Sequence, residues 1–170
     1  MPFEDDLRRY LRRRPSAPAP AILATRLLMR AAALLRARMD AALAGQGLRM
    51  REYLALAFIS LHKGQALRPS ELSVSLDATR PQVTRLLDAL GEQGLVERQA
   101  AADDRRALQL VLTEAGLRRL AACAPLVHEA YRDAWAGVPD LEPVLRDLRA
   151  LNQCLLAGQD ATAGGGGAAP

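Results

Sequence analysis

The hydrophobic period of this chain changes once and then changes back. As far as Gly94, apolar residues recur at helical spacing. Past Gly94 it breaks: Leu108, Leu110 and Leu112 alternate with Ala107, Gln109 and Val111, and from Thr113 onward the helical spacing returns. A 3.6-residue pattern does not settle as a strand, nor a two-residue pattern as a helix. The chain must therefore be helical with one small β insertion. That insertion reads as a hairpin. Leu95-Val96-Glu97-Arg98 forms one strand, and Leu108, Leu110 and Leu112 mark the other. Gln99–Arg106 between them has no bulky apolar residue and reads as the loop. Composition agrees. Aromatics are 4% and Ala and Leu dominate the apolar set, which favours helices over a sandwich of strands.

Six helices are predicted. Ala21–Leu43 is an Ala/Leu/Arg helix stopped by Gly45 and Gly47. In the second, Met50, Tyr53, Leu54, Ala57, Phe58 and Leu61 fall on one face. Pro69-Ser70 opens a short third helix with Leu72 and Leu76 inward, followed by a tight turn at Asp77-Ala78-Thr79. Thr79 caps the fourth helix, with Pro81 in its first turn and Val83, Leu86, Leu87 and Leu90 inward. Thr113 caps the fifth, whose stripe is Leu117, Leu120, Ala121, Ala124, His128, Tyr131 and Trp135. Pro139-Asp140 opens the sixth, carrying Leu141, Val144, Leu145, Leu148, Leu151 and Leu155. Residues 1–20 read as a polar, Pro-rich N-terminal arm, helical in part at best. Residues 158–170 read as a flexible Gly-rich tail.

Helix–turn–helix followed directly by a two-stranded hairpin is a winged helix–turn–helix. The fold expected is thus mainly α with a small β wing, and residues 48–113 are its DNA-binding lobe. Several function classes fall away. No run of about 18 apolar residues spans a membrane, and the N-terminus has no apolar signal core. None of the phosphate-loop, dinucleotide, nucleophile-elbow or zinc-helix motifs of enzymes occurs. The expectation is no catalytic residue, no metal and no cofactor. Cys123 and Cys154 have no partner spacing, which suits a reducing cytoplasm.

On the fourth helix, Gln82, Thr84 and Arg85 lie away from the apolar stripe, with Arg80 at the N-terminus. Arg matches guanine O6/N7 bidentately, Gln matches adenine N6/N7, and Thr reaches phosphate or a thymine methyl. Asp88 and Glu92, farther along, would repel the DNA backbone, so only the N-terminal half should enter the major groove. In the hairpin loop, Arg105 or Arg106 could reach a minor groove, with Asp104 holding the loop in shape. Each feature alone is ordinary solvated surface. Together, at winged-helix spacing, they read as a double-stranded DNA interface. Residues 64–120 carry eight basic and eight acidic residues, which keeps open a protein-interaction adaptor without DNA contact.

The stretch Gly47–Gly116 resembles the MarR family of bacterial transcription regulators. VTRLLDALGEQGLVER, DDRRA and LTEAG carry the resemblance most specifically. It implies an intertwined homodimer, with residues 21–47 and 114–157 as the helical dimerisation region. It implies Arg80, Gln82, Thr84 and Arg85 in the major groove, Arg105 or Arg106 at the minor groove, and Asp104 bracing the wing. By two-fold symmetry the operator would be a pseudo-palindrome, and the protein would act as a repressor. Arg49 stands where the family commonly has a capping Thr, and Asp77 where its turn often has Gly. The resemblance also implies release by a small aromatic or phenolic effector, with Arg26, Tyr53, His62 and His128 as pocket candidates, or a response to thiol oxidation. The residues themselves favour plainer roles for three of these: His128 as a core or interface residue, Tyr53 as core and Cys123 as a buried structural thiol; Arg26 could counter a carboxylate or equally be solvated.

Overall fold

The computed structural model describes residues 2–62, 69–100 and 108–163. Among these, seven α-helices and one two-stranded antiparallel sheet follow in the order α1 (Pro2–Arg12), α2 (Ala19–Leu43), α3 (Met50–Leu61), α4 (Pro69–Ser75), α5 (Arg80–Glu92), β1 (Val96–Ala100), β2 (Leu108–Leu112), α6 (Glu114–Trp135) and α7 (Glu142–Ala163). The winged helix–turn–helix expected from the sequence is present as α3, α4, α5 and the β1–β2 hairpin. The chain divides into two compact units, with the break after Arg132.

The seventh helix is the first. The N-terminal segment is not an arm: α1 is a regular helix whose Leu11 is buried. Its acidic first turn and basic last turn both complement the helix dipole. Arg8 pairs with Glu4 one turn earlier, at 2.8 Å. Phe3 lies under the guanidinium groups of Arg26 and Arg30 from α2, 5.9 and 5.5 Å from the ring centre. Helical pairing and these cation–π contacts compensate for the polar composition. At the other end α7 continues to Ala163, so helix extends into the expected tail.

The core of the first unit collects Met39, Leu43, Leu56, Ile59, Leu72, Val83, Leu90 and Val127, all at most 2% exposed. Two expected faces are rotated. On α3 the buried residues are Met50, Tyr53, Ala55, Leu56 and Ile59, whereas Leu54 and Leu61 are exposed. Leu54 to Ile59 is an unbroken apolar run, so its periodicity could not select a side. On α6 the buried line is Gly116, Cys123, Val127 and Ala130. Leu117, His128 and Tyr131, placed on the inward stripe from sequence, face outward in the single chain.

The wing is tied into this frame at its base. β1 and β2 pair in register from Val96↔Leu112 to Ala100↔Leu108. Leu95 and Val96 are buried, as is Leu110. Thr113 then caps α6 as expected: its Oγ1 accepts the Gly116 N–H at 3.0 Å and donates to the Gly94 carbonyl at 2.7 Å. Gly94 itself has φ +67°, which lets the chain leave α5 and enter the wing.

Candidate nucleic-acid interface

The turn that aims α5 begins where α4 ends. Asp77 adopts φ +46°, a left-handed conformation that Asp tolerates better than most residues. The Ala78 N–H returns to the Ser73 carbonyl at 3.0 Å. Thr79 then takes extended backbone as the N-cap, and Pro81 lies in the first turn. The Thr79 N–H donates to Gln82 Oε1 at 2.9 Å, the side-chain half of a capping box. Val83, Leu87 and Leu90 anchor the opposite face in the core.

This anchoring presents Arg80, Gln82, Thr84 and Arg85 on the exposed side. The first turn of α5 holds no acid, so its N-terminus keeps its partial positive charge. Neither Arg80 nor Arg85 forms an ion pair among the described residues. Thr84 Oγ1 donates to the Arg80 carbonyl at 3.1 Å, so this hydroxyl turns back on its own helix. Gln82 has its carbonyl oxygen engaged by the cap, which leaves its amide N–H groups to donate outward. Asp104, Arg105 and Arg106 lie outside the described residues.

The repulsion expected from Asp88 is offset by a residue that sequence reasoning passed over. Arg98 on β1 donates to Asp88 Oδ1 at 2.9 Å, linking the outer face of α5 to the wing. Strand alternation does not reveal it, because the partner lies across the fold on α5. A second such contact fixes α6: Arg119 donates to the Gln46 carbonyl just after α2.

Three of the four pocket candidates, Arg26, His62 and Tyr53, have separate sets of neighbours. Arg26 is exposed and lies over Phe3. His62 stacks on Phe58 with ring centres 4.2 Å apart, and its Nδ1–H donates to the Phe58 carbonyl at 2.9 Å. Tyr53 is buried beside Cys123 and Tyr131. Burial first, then these two neighbours, raises its phenol above the ordinary range. His128 is exposed on α6. Cys123 is fully buried, and burial raises its thiol pKa despite the lowering influence of Arg119. Cys154 is exposed. Among the described residues, no cluster of His, Cys, Asp and Glu could hold a metal, and no helix is long and apolar enough to cross a membrane.

Comparison with known proteins agrees with this geometry. The MarR family model matches residues 46–107, from the end of α2 to the edge of β2. The transcriptional repressor MprA of Escherichia coli K12 is 32% identical over 141 residues, covering 83% of this chain and 80% of the relative. The transcriptional regulator MosR of Mycobacterium tuberculosis superposes with a TM-score of 0.70 at 32% identity, covering 79% of this chain and 96% of that one. Its complex with DNA superposes at 0.66 and 33% identity, with the same coverage. CouR of Rhodococcus jostii RHA1, solved with p-coumaroyl-CoA, gives 0.63 and 28% identity, covering 76% of this chain and 88% of that one. These relatives are regulators rather than enzymes. The chain belongs to the MarR family of winged-helix, DNA-binding transcriptional regulators.

Proposed function

We propose that the chain is a cytoplasmic repressor that binds a pseudo-palindromic operator as a homodimer and releases it when a small aromatic or phenolic effector binds. Arg80, Gln82, Thr84 and Arg85 enter the major groove. Arg105 or Arg106 reaches the adjacent minor groove, and Asp104 holds the wing. Residues 48–113 form the reading lobe, while residues 21–47 and 114–157 bring two copies together. The observation that carries this reading is the exposed N-terminal half of α5, where Arg80 and Arg85 have no ion-pair partner among the described residues and no acid shares the first turn.

Supporting the dimer, Leu117 and Tyr131 on α6 are exposed, as are Leu145, Leu151 and Leu155 on α7. A second copy laid against these helices would cover them. The repressor among the relatives and the DNA complex of a neighbour support the operator reading. The p-coumaroyl-CoA complex supports an aromatic effector, for which Tyr53, Arg26, His62 and His128 are the candidate contacts. Two-fold symmetry sets half-site centres about 10 bp apart.

Fluorescence anisotropy tests the reading. Labelled DNA from upstream of the chain's own coding sequence is compared with random duplex between about 50 and 200 mM salt. The expected result is a preference of about 1,000-fold or more for one site, with affinity falling steeply as salt rises. Equal, salt-insensitive binding to both would favour the adaptor reading instead.

A further inference from the structure

From Leu7 to Met39 the chain carries nine arginines and no acidic residue. That stretch covers most of α1, the α1–α2 turn and most of α2. Its charge is not balanced within the sequence, and the fold supplies little balance. Arg8 takes Glu4, and Arg9 lies 3.9 Å from Asp6. Arg12, Arg13, Arg14, Arg26 and Arg30 are all exposed and form no ion pair among the described residues.

Helical geometry gathers these groups. On α1, Phe3, Leu7 and Leu11 recur at every fourth residue and share the face packed on α2. Arg9, Arg12 and Arg13 therefore stand on the opposite face. Arg12 lies beside Ala19, Pro20 and Leu23, while Phe3 lies under Arg26 and Arg30. The two helices run antiparallel, and the arginine-rich end of α1 sits at the start of α2. Arg14 stacks on Tyr10, 3.8 Å from the ring centre. A guanidinium held by its face keeps the N–H donors at its edge free, and that fork matches a phosphate.

We propose that this end of α1, centred on Arg12, Arg13 and Arg14, is a second duplex-DNA surface that grips phosphate without reading sequence. No Asn or Gln accompanies the arginines between Leu7 and Met39, so the amides that read adenine are missing. Position separates this surface from the reading helix. α1 packs on α2, whereas α5 packs on α4 and β1. Roughly 25–30 Å of α2 separates the residues beside Arg12 from Asp40, which accepts the Met50 N–H at the start of α3. Phosphates held at α1 therefore belong to a different duplex from the one under α5. A lipid surface fits less well, because the apolar face that an interfacial helix must insert is spent on α2. An acidic protein segment lacks the charge density of a duplex, about one negative charge per 1.7 Å. One protein molecule then holds an operator at α5 and a neighbouring segment at α1. The bridging rests on the operator reading above, whereas the α1 surface does not.

The test uses the full-length protein in two arms. In the first, Arg80→Ala and Arg85→Ala are combined to silence the tip of α5, and random duplex is followed by fluorescence anisotropy. Binding should persist and fall at least about 40-fold between 50 and 200 mM salt, the loss that three phosphate contacts predict. Adding Arg12→Gln, Arg13→Gln and Arg14→Gln should weaken it about tenfold or more at 50 mM salt, with the melting temperature nearly unchanged. Arg12→Lys, Arg13→Lys and Arg14→Lys should preserve binding, because the charge is kept. Full affinity in the Gln protein, or equal weakness in the Lys protein, would overturn the proposal. In the second arm an immobilised operator is saturated with protein and offered labelled random duplex. Protein with an intact α5 should capture the second duplex. The three Gln substitutions should abolish capture and leave operator affinity as it was. A matching fall in operator affinity would put these arginines on the operator's own duplex and refute the second surface. Polyglutamate or phosphatidylglycerol vesicles that displaced the captured duplex at equal charge would reassign the surface and refute it too. Operator binding that survives Arg80→Ala and Arg85→Ala would instead sink the operator reading and leave the α1 surface standing.

Discussion

A methyl group on Gly116 would collide with the carbonyl oxygen of Leu95. An added Cβ there would lie far inside van der Waals contact with that oxygen and close to the Leu95 carbonyl carbon, at 3.1 Å. The same oxygen accepts the Thr113 N–H at 3.1 Å, so it cannot withdraw without breaking the bond that holds the capping residue of α6. The glycine that ends LTEAG is thereby explained by the close approach of α6 to the base of the wing. Gly116→Ala should destabilise the fold by about 1–3 kcal/mol through overpacking of backbone on backbone. Gly45 meets nothing within 4 Å and has no positive φ, so Gly45→Ala should be neutral or slightly stabilising. Urea denaturation of the two variants side by side checks the pair. Equal midpoints would sink the account.

The Asp88–Arg98 pair should matter more for recognition than for stability. Both side chains are half exposed, so the pair contributes at most about 1 kcal/mol to folding. Its position is the point: it joins α5 to β1, the first strand of the wing. Asp88→Asn should leave the melting temperature nearly unchanged. On the operator, a double-mutant cycle with Arg98→Gln should show coupling of about 0.5–1 kcal/mol. Additive effects of the two variants on DNA affinity would mean that the bridge is only a surface ion pair.

Part of this architecture was readable from sequence and part was not, and the division follows local against non-local physics. The paired strands, the Thr79 and Thr113 caps and the Asp77 turn depend on neighbours within a few residues, and each formed, with β1 running two residues past the expected Arg98, through Gln99 and Ala100, and the rest of the expected loop outside the described residues. The inward faces of α3 and α6 depend on which of several apolar sides meets another element. In an Ala/Leu-rich helix the pattern leaves that choice open, so Leu54 and Leu61, expected inward, are exposed. The helicity of α1 was hidden because its support comes from Arg26 and Arg30, more than twenty residues away. The two departures from the family pattern, Arg49 and Asp77, looked unrelated in sequence. In the fold they line one cleft.

Burial also sets how the molecule responds to alkaline pH. The Cys123 thiol and the Tyr53 and Tyr131 phenols all have raised pKa values in the folded state, chiefly from burial. When the folded pKa exceeds the unfolded one, the unfolded chain loses its proton first. Stability is then full below the unfolded pKa and falls as pH rises through the folded one. The decline should begin near the ordinary thiol value of 9.0 and deepen past the ordinary phenol value of 10.0. Cys123→Ala should remove the first part of that fall, read from urea midpoints under reducing conditions between neutral pH and about pH 10. At neutral pH a thiol reagent should modify Cys154 quickly and Cys123 only after unfolding. Rapid labelling of Cys123 in the native protein would contradict the buried, protonated thiol and revive an oxidation switch at that residue.

Arg85 and Gln82 stand three residues apart on the same exposed face of α5, yet their substitutions should separate cleanly. Arg85 has no ion-pair partner among the described residues, so Arg85→Ala should leave the fold intact. It should weaken cognate DNA by about 1–3 kcal/mol and relax base preference at one position. Gln82 is tied to the Thr79 N–H, so Gln82→Ala loses part of the cap of α5 as well as its outward amide. That variant should lower folding stability by about 0.5–2 kcal/mol, on the scale of a lost helix cap, besides weakening DNA. Gln82→Glu keeps the capping oxygen while replacing the donor with a negative charge. It should restore the melting temperature and depress DNA affinity further, because a carboxylate at that place repels phosphate and cannot donate to adenine N7. Thermal melts and anisotropy on the same three proteins decide the matter. If Gln82→Glu recovered operator binding along with stability, Gln82 would be a capping residue alone, and base reading would fall to the two arginines.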